Sequence, residues 1–224
     1  MNIELDRIYN MDCLEGMKAI PDGTIDAVIT DIPYNETDRR EEGGLRKVHN
    51  GMADDSVFDL GKWLDECWRV CNGSFYIFCG FGQISQIHEF FLSHKTTTRM
   101  IVWEKTNPSP MNGDFTWLFG IEVAIFAKKS GAPFNLHCEN TVIRKPIEKD
   151  SWHPTAKPVD IMRKFVIASS NDGQTILDPF MGSGTTAIAC IKERRHFIGF
   201  ELSKEYFDKA VKRIKAEQAQ LTLF

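Results

Sequence analysis

The chain predicts an α/β fold, a mostly parallel seven-stranded sheet with helices on both faces. Three observations carry that expectation. Short β-branched or aromatic runs alternate with amphipathic stretches of helical length, the pattern of a parallel sheet. The run I-L-D-P-F-M-G-S-G-T-T, from Ile176 to Thr186, reads as a strand entering a glycine turn and then a helix. The run I-T-D-I-P-Y-N, from Ile29 to Asn35, reads as a strand that stops on an acid, a proline and an aromatic ring.

In chain order, strands are expected over Arg7 to Asn10, Ile25 to Thr30, Ser74 to Cys79, Met100 to Glu104, Ile121 to Ala127, Thr175 to Asp178 and His196 to Glu201. Helices are expected over Leu60 to Val70, Ile84 to Leu92, Pro158 to Ala168, Thr185 to Glu193 and Lys204 to Ala219. In the last, Phe207, Ala210, Val211 and Ile214 share one face, and Ser203 stands where a cap belongs. Asn35 to Asp55 is polar and dense in charges of both signs, so a mobile surface loop is expected there. Lys105 to Trp152 combines N-P-S-P-M-N-G, a strand and a basic irregular tail, and reads as an insert. With no internal repeat, residues 1–224 read as a single domain.

A chain of 224 residues with 42% hydrophobic content suits one well-cored domain. Its net charge of −4 supplies no global basic field, so a nucleic-acid partner would need a local basic groove. The cysteines (Cys13, Cys67, Cys71, Cys79, Cys138 and Cys190) form no C-x-x-C pair and no zinc-ligand spacing, so no metal centre is expected. Cys79 and Cys190 lie in apolar runs, which suits reduced, buried thiols. The opening M-N-I-E-L-D-R-I is not a signal peptide, and no apolar run approaches the ~20 residues that span a bilayer. A cytoplasmic protein with no membrane partner is the expectation.

At the cofactor end, Gly182 and Gly184 permit tight curvature and close backbone approach to a ligand. Asp178 ends the strand before the turn and Glu201 ends the next one. An acid at Glu201 suits hydrogen bonding to ribose hydroxyls. Asp178 would repel a pyrophosphate and welcome a cation. A ligand with a ribose, no phosphate and a positively charged amino-acid part is S-adenosylmethionine. A nicotinamide-dependent oxidoreductase shares the glycine turn, but the pattern stops short of G-x-G-x-x-G and leaves D-I-P-Y unexplained.

At the substrate end, Asp31, Ile32, Pro33 and Tyr34 follow T-I-D-A-V-I-T at the carboxyl edge of a buried strand, where open α/β sheets bind ligands. The Asp31 carboxylate and the carbonyl of Ile32 can accept both protons of an exocyclic amine. Tyr34 offers a π face to a flat base, and Pro33 fixes the turn. Such an amine is a poor nucleophile because its lone pair is delocalised. Two acceptors drawing its protons out of plane localise that pair for attack on a methyl group. No Pro-Cys nucleophile occurs, so no covalent intermediate is expected.

These motifs, with N-M-D-C-L upstream of the first and H-P-T-A-K-P upstream of the second, resemble the amino-group DNA methyltransferases, the N6-adenine and N4-cytosine enzymes. The order along the chain resembles their circularly permuted β group, from about Ile8 to Ile214. The resemblance implies a Rossmann-like methyltransferase fold, S-adenosylmethionine as cofactor and double-stranded DNA as substrate, with the target base flipped out. It also raises a homodimer and a cognate restriction endonuclease as partners, in a bacterial or phage setting. Asp12 and Cys13 would flank the cofactor's adenine, and Lys157 would lie near its methionine part. Phe180, Gly182, Ser183, Gly184 and Thr185 would line the pocket floor, Glu201 would hold the ribose, and Asp31, Asp178, Pro179 and Leu202 would belong to the same cofactor-binding set. An acid at position 31 resembles the adenine-type tetrapeptide, with N4-cytosine as the alternative. The family form is usually Asp-Pro-Pro-Tyr or Ser-Pro-Pro-Tyr, so Ile32 is a departure, and a catalytically lapsed relative is the third reading.

Arg144, Lys145, Lys149, Lys157, Arg163 and Lys164 outnumber Glu148, Asp150 and Asp160, which makes this stretch a candidate phosphate strip. Trp63 and Trp68 read as core, and His153 as structural or at the cofactor's rim. Phe115, Trp117, Leu118 and Phe119 read as core or as a dimer patch.

Overall fold

The computed structural model describes residues 3–34, 59–110, 113–148 and 156–221. Its elements run β1 (Arg7–Tyr9), α1 (Cys13–Met17), β2 (Ile25–Asp31), α2 (Leu60–Val70), β3 (Cys71–Cys79), α3 (Ile84–Ser93), β4 (Thr97–Lys105), β5 (Ile121–Lys128), β6 (Val142–Lys145), α4 (Val159–Ser169), β7 (Thr175–Asp178), α5 (Thr185–Lys192), β8 (His196–Phe200) and α6 (Lys204–Leu221).

Alternate residues of β3 feed two different cores, which is why the strand reads as an unbroken apolar run. Phe75 and Ile77 join the core built with α1, α2 and α3; Tyr76 and Phe78 join the one built with α4, α5 and α6. The result is three layers, with the sheet in the middle. Trp63 is fully buried in the first core, and Trp68 stacks on Phe75 at 5.9 Å, so both tryptophans pack as expected.

The sheet has eight strands in the order β1-β8-β7-β2-β3-β5-β4-β6, one more than the sequence suggests. The extra one is β6, four residues paired parallel to the end of β4. Its V-I-R-K is too short and too charged to show a period, and it acquires strand geometry from its neighbour. Only β5 runs against the rest, pairing antiparallel with β3 and β4. The five-residue helix α1 is the other unexpected element. The segment expected as an insert thus supplies two strands of the central sheet, and its irregular parts are the connections around them. The loop expected at 35–55 lies outside the described residues.

The strand order reverses between β2 and β7, which are parallel neighbours. From β2 the chain crosses to β3 on one side; from β7 it crosses to β8 on the other. Their carboxyl ends therefore open a crevice at a topological switch point, the place where such sheets bind ligands. Asp31 is the last residue of β2 and Asp178 the last of β7.

Candidate active site

The two sequence motifs, nearly 150 residues apart, are joined by buried hydrogen bonds, the shorter of them to Asp178. The Thr30 hydroxyl donates to Asp178 Oδ1 at 2.6 Å. Thr186 donates to Oδ2 at 2.6 Å, and the Phe180 amide donates to Oδ1 at 3.1 Å. Asp178 is 3% exposed, and burial pushes its carboxyl up to about 6, against the pull of those hydroxyls. Its oxygens are engaged inward, tying β2, β7 and α5 together beneath the glycine turn.

That turn has the backbone the sequence anticipates. Gly182 and Gly184 both sit at positive φ, 50° and 80°, where a side chain would be strained, and Gly184 leads directly into α5. Ser183 and Thr185 are buried, and their hydroxyls bond to each other at 2.8 Å. Arg213 of α6, which sequence reasoning missed, donates to the Ser183 carbonyl at 3.0 Å and buttresses the turn.

Glu201 accepts from the Gly182 amide at 2.9 Å through one oxygen and from the Ser203 amide at 2.7 Å through the other. A carboxylate has about four lone-pair sites, so an acid at this place suits hydrogen bonding to ribose hydroxyls. Asn10, also unanticipated, donates to the carbonyls of Glu201 and Leu202 at 2.8 and 2.9 Å. It thereby holds the segment carrying Asp12 and Cys13 beside Glu201. Asp12 caps α1 through the Glu15 amide, and Cys13 is buried. Leu202 is 53% exposed and Phe180 is partly buried against Trp63, two apolar surfaces at the crevice for a flat ring. Glycine turn, ribose acid and apolar walls together fit S-adenosylmethionine.

The tetrapeptide is clamped from both sides. The Ile32 amide donates to the Phe78 carbonyl at 3.1 Å, continuing the β2–β3 ladder, and the Ile32 side chain is buried at 2% exposure in the first core. Gln83 donates to the Pro33 carbonyl at 2.8 Å while accepting from the Gly80 amide at 2.9 Å. Pro33 is thus held through its carbonyl by a buried glutamine that the sequence did not flag.

Beneath the tetrapeptide lies a charged cluster. Lys157, with 4% of its side chain exposed, contacts Asp31 Oδ2 and lies 2.9 Å from Glu122 Oε2. Lys105 lies 2.8 Å from Glu122 Oε1. The Tyr34 hydroxyl donates to Glu122 at 3.3 Å. Burial disfavours the Lys157 charge, but Asp31 and Glu122 outweigh it and raise its pKa. Burial raises Glu122 too, and there Lys157 and Lys105 win, holding the carboxyl below its ordinary value. Burial lifts Asp31 above the ordinary aspartate value, opposed by Lys157. The Tyr34 phenol is raised by burial and by the carboxylates of Asp31 and Glu122, so it stays protonated. Asp31 Oδ1 is buried and makes no hydrogen bond. Lys157, expected near the cofactor's methionine part, contacts Asp31, which is expected in the same cofactor-binding set.

The basic strip differs from expectation. Arg144 pairs with Glu104, Lys145 with Asp160, Arg163 with Glu193 and Lys164 with Glu139, at 2.6 to 2.9 Å. Each described cation of the strip has a carboxylate neighbour, so the surplus of charge is largely neutralised. Phe115 and Trp117 are 90% and 96% exposed, which removes the core reading for that cluster. Lys149 and His153 lie outside the described residues. Among the described residues no group of side chains could hold a metal, and no helix is long and apolar enough to cross a membrane. A 340 Å³ cavity lined by Thr97, Arg99, Phe126 and Lys128 opens at the far end of β4 and β5 from Glu122, away from this site.

A switch-point crevice with a cofactor turn at one strand end and an amine acceptor at the next defines a methyl-transfer enzyme of the α/β class. A family model described as DNA methylase, of the N6/N4 type, matches residues 25–212, and the chain belongs to that family. It is similar to the type II methyltransferase M.HinfI of Haemophilus influenzae, 28% identical over 96% of this chain and 70% of that one. It is also similar to M.HpaI of Haemophilus parainfluenzae, 29% identical over 94% of this chain and 74% of that one. The structure of the M1.HpyAVI–SAM complex matches with a TM-score of 0.73 and 31% identity, over 92% of this chain and 98% of that one. The PvuII DNA methyltransferase (cytosine-N4-specific) has the same fold, at a TM-score of 0.73 and 15% identity, over 98% of this chain and 93% of that one. The protein is an S-adenosylmethionine-dependent DNA methyltransferase.

Proposed function

We propose that the acceptor is the N6 amino group of adenine in double-stranded DNA, flipped out of the duplex into the crevice beside Asp31. The observation that carries this reading is Asp31 Oδ1, a buried acceptor with no hydrogen bond, at the end of the strand next to the cofactor turn. An unpaired buried acceptor costs about 1–3 kcal/mol, which an incoming amine proton would recover.

S-adenosylmethionine supplies an electrophilic methyl group on its sulfonium. Asp31 Oδ1 takes one amine proton as a hydrogen bond and the Ile32 carbonyl takes the other, so the nitrogen lone pair points at the methyl. As the N–C bond forms the methyl–sulfur bond would break, leaving the cofactor as a neutral thioether, and the proton shed by the methylated amine would pass to Asp31. Tyr34, anchored at its hydroxyl, stacks on the base, worth about 1–3 kcal/mol by comparison with other base–aromatic contacts. That offsets part of the few kcal/mol needed to unpair and unstack the target.

We read the motif order, tetrapeptide before glycine turn, as the circularly permuted arrangement. Asp12 and Cys13 are assigned to the cofactor's adenine, Glu201 to its ribose, Phe180, Gly182, Ser183, Gly184 and Thr185 to the pocket floor, and Asp31, Lys157, Asp178, Pro179 and Leu202 to the same site. A homodimer seated on Phe115, Trp117 and Phe119 belongs to the same reading, testable by sedimentation of a Trp117→Ser variant. So do a cytoplasmic location and a cognate endonuclease.

The test is nucleoside mass spectrometry of unmethylated, sequence-diverse DNA treated with protein and S-adenosylmethionine, beside Asp31→Ala. N6-methyladenine from the wild type alone supports the reading. N4-methylcytosine would replace the base, and no methylated base would sink the activity.

A further inference from the structure

Glu122 lies on β5, the one strand that runs against the sheet, and belongs to neither sequence motif. It nevertheless contacts two groups of the site, Lys157 and Tyr34, and one further residue, Lys105. Its Oε2 faces the Lys157 ammonium at 2.9 Å and the Tyr34 hydroxyl at 3.3 Å, and its Oε1 faces Lys105 at 2.8 Å. Its side chain is 13% exposed, between lysines exposed by 8% and 4%. Four charges, those of Lys105, Glu122, Lys157 and Asp31, therefore alternate in sign from β4 to the end of β2.

Transfer places positive charge on the amine beside Asp31. A Lys157 ammonium paired with Asp31 alone would oppose that charge and compete for the carboxylate. Glu122 shares the Lys157 ammonium with Asp31 and offsets part of its charge there. The same carboxylate fixes the Tyr34 hydroxyl and with it the plane of the ring. We propose that Glu122 is a positioning residue for methyl transfer: it holds Lys157 on Asp31 Oδ2, keeps Oδ1 for the amine, and sets the orientation of Tyr34.

The inference rests on the amine-methylation reading, and a control separates it from ordinary structural dependence. Lys105 belongs to the same buried cluster and touches Glu122 but neither Asp31 nor Tyr34 in any described contact. Lys105→Met and Glu122→Gln both disturb the cluster's charge balance. Only Glu122→Gln weakens the contacts to Lys157 and Tyr34.

The experiment measures single-turnover methylation of DNA, the dissociation constant for S-adenosylmethionine and the melting temperature for wild type, Glu122→Gln, Glu122→Asp and Lys105→Met. Glu122→Gln should lower the transfer rate by about tenfold or more with cofactor affinity kept within about threefold. Glu122→Asp should recover part of that rate, and Lys105→Met should stay within about threefold of wild type. Equal losses in Glu122→Gln and Lys105→Met would make the cluster structural and overturn the proposal. So would a Glu122→Gln rate equal to wild type, or a loss matched by loss of cofactor binding. A wild type that methylates nothing would instead remove the underlying reading.

Discussion

The hydroxyl of Thr30 donates to Asp178 at 2.6 Å, joining the strand that ends on the tetrapeptide to the strand that opens the cofactor turn. Geometric coupling of the two motifs thus rests on a carboxylate that burial works against. Its folded pKa is about 6 against ~3.9 for an unfolded aspartate, so between those values the folded state binds more protons. Stability from this group is fullest below the unfolded value and falls as pH rises through about 6. The linked loss is roughly 3 kcal/mol, at 1.36 kcal/mol per pKa unit. Asp178→Asn abolishes that dependence. Urea unfolding from pH 4 to 7 should show the wild type losing stability relative to the variant by about that amount; a difference independent of pH would contradict the assignment.

The fold was legible because strand and helix periods alternate cleanly, and the site because its two motifs end strands. Asp31, Glu201, Gly182 and Gly184 declare themselves through local pattern, since each is demanded by the backbone or by the ligand at its own position. Glu122, Gln83, Asn10 and Arg213 do not. Each acts through a hydrogen bond or ion pair to a residue distant in the chain, and its own neighbourhood reads as an ordinary strand or helix. Glu122 in particular looks like the polar position of an edge strand, and only the antiparallel placement of β5 against β3 brings it under Tyr34. The basic strip failed for a related reason. Charge counted along a chain omits the acids that folding brings in from elsewhere, such as Glu104 and Glu193.

Lys157 should govern the pH dependence of transfer. Its ammonium lowers the Asp31 pKa that burial raises, so removing it raises that pKa further. Because Asp31 accepts the amine as a carboxylate, the acid limb of the rate profile should move to higher pH in Lys157→Met. Glu122, Tyr34, Cys79 and Asp178 also face Asp31 and are common to both proteins, so the comparison isolates the lysine. Single-turnover rates across pH 5 to 9 provide the measurement. An unmoved acid limb would mean that Lys157 is no counter-ion to the acceptor.

Glu201 should govern cofactor affinity. Glu201→Gln keeps the shape and an acceptor for one backbone amide but loses the charge that strengthens hydrogen bonds to ribose hydroxyls. Hydrogen bonds to charged groups contribute about 1.5–3 kcal/mol, so the dissociation constant for S-adenosylmethionine should rise by about tenfold or more. Titration calorimetry measures it directly. Transfer at saturating cofactor should be much less affected, because the role proposed for Glu201 is at the ribose and not at the amine. An unchanged dissociation constant would remove Glu201 from the pocket.

Ile32 stands where the family usually has proline, and the structure explains why the departure is tolerated. The residue preceding Pro33 is already confined to extended geometry, so proline at 32 would add little rigidity. Isoleucine contributes what proline lacks: an amide that donates to the Phe78 carbonyl at 3.1 Å, and a longer side chain buried at 2% exposure. Ile32→Pro would delete that bond, leave the Phe78 carbonyl short of a donor and leave a void in the first core. The expected cost is about 2 kcal/mol of stability. Because the carbonyl of residue 32 is kept, the transfer rate should not rise. Thermal unfolding beside single-turnover methylation decides the matter, and a variant both as stable as wild type and faster would show that Ile32 is a defect that the fold merely accommodates.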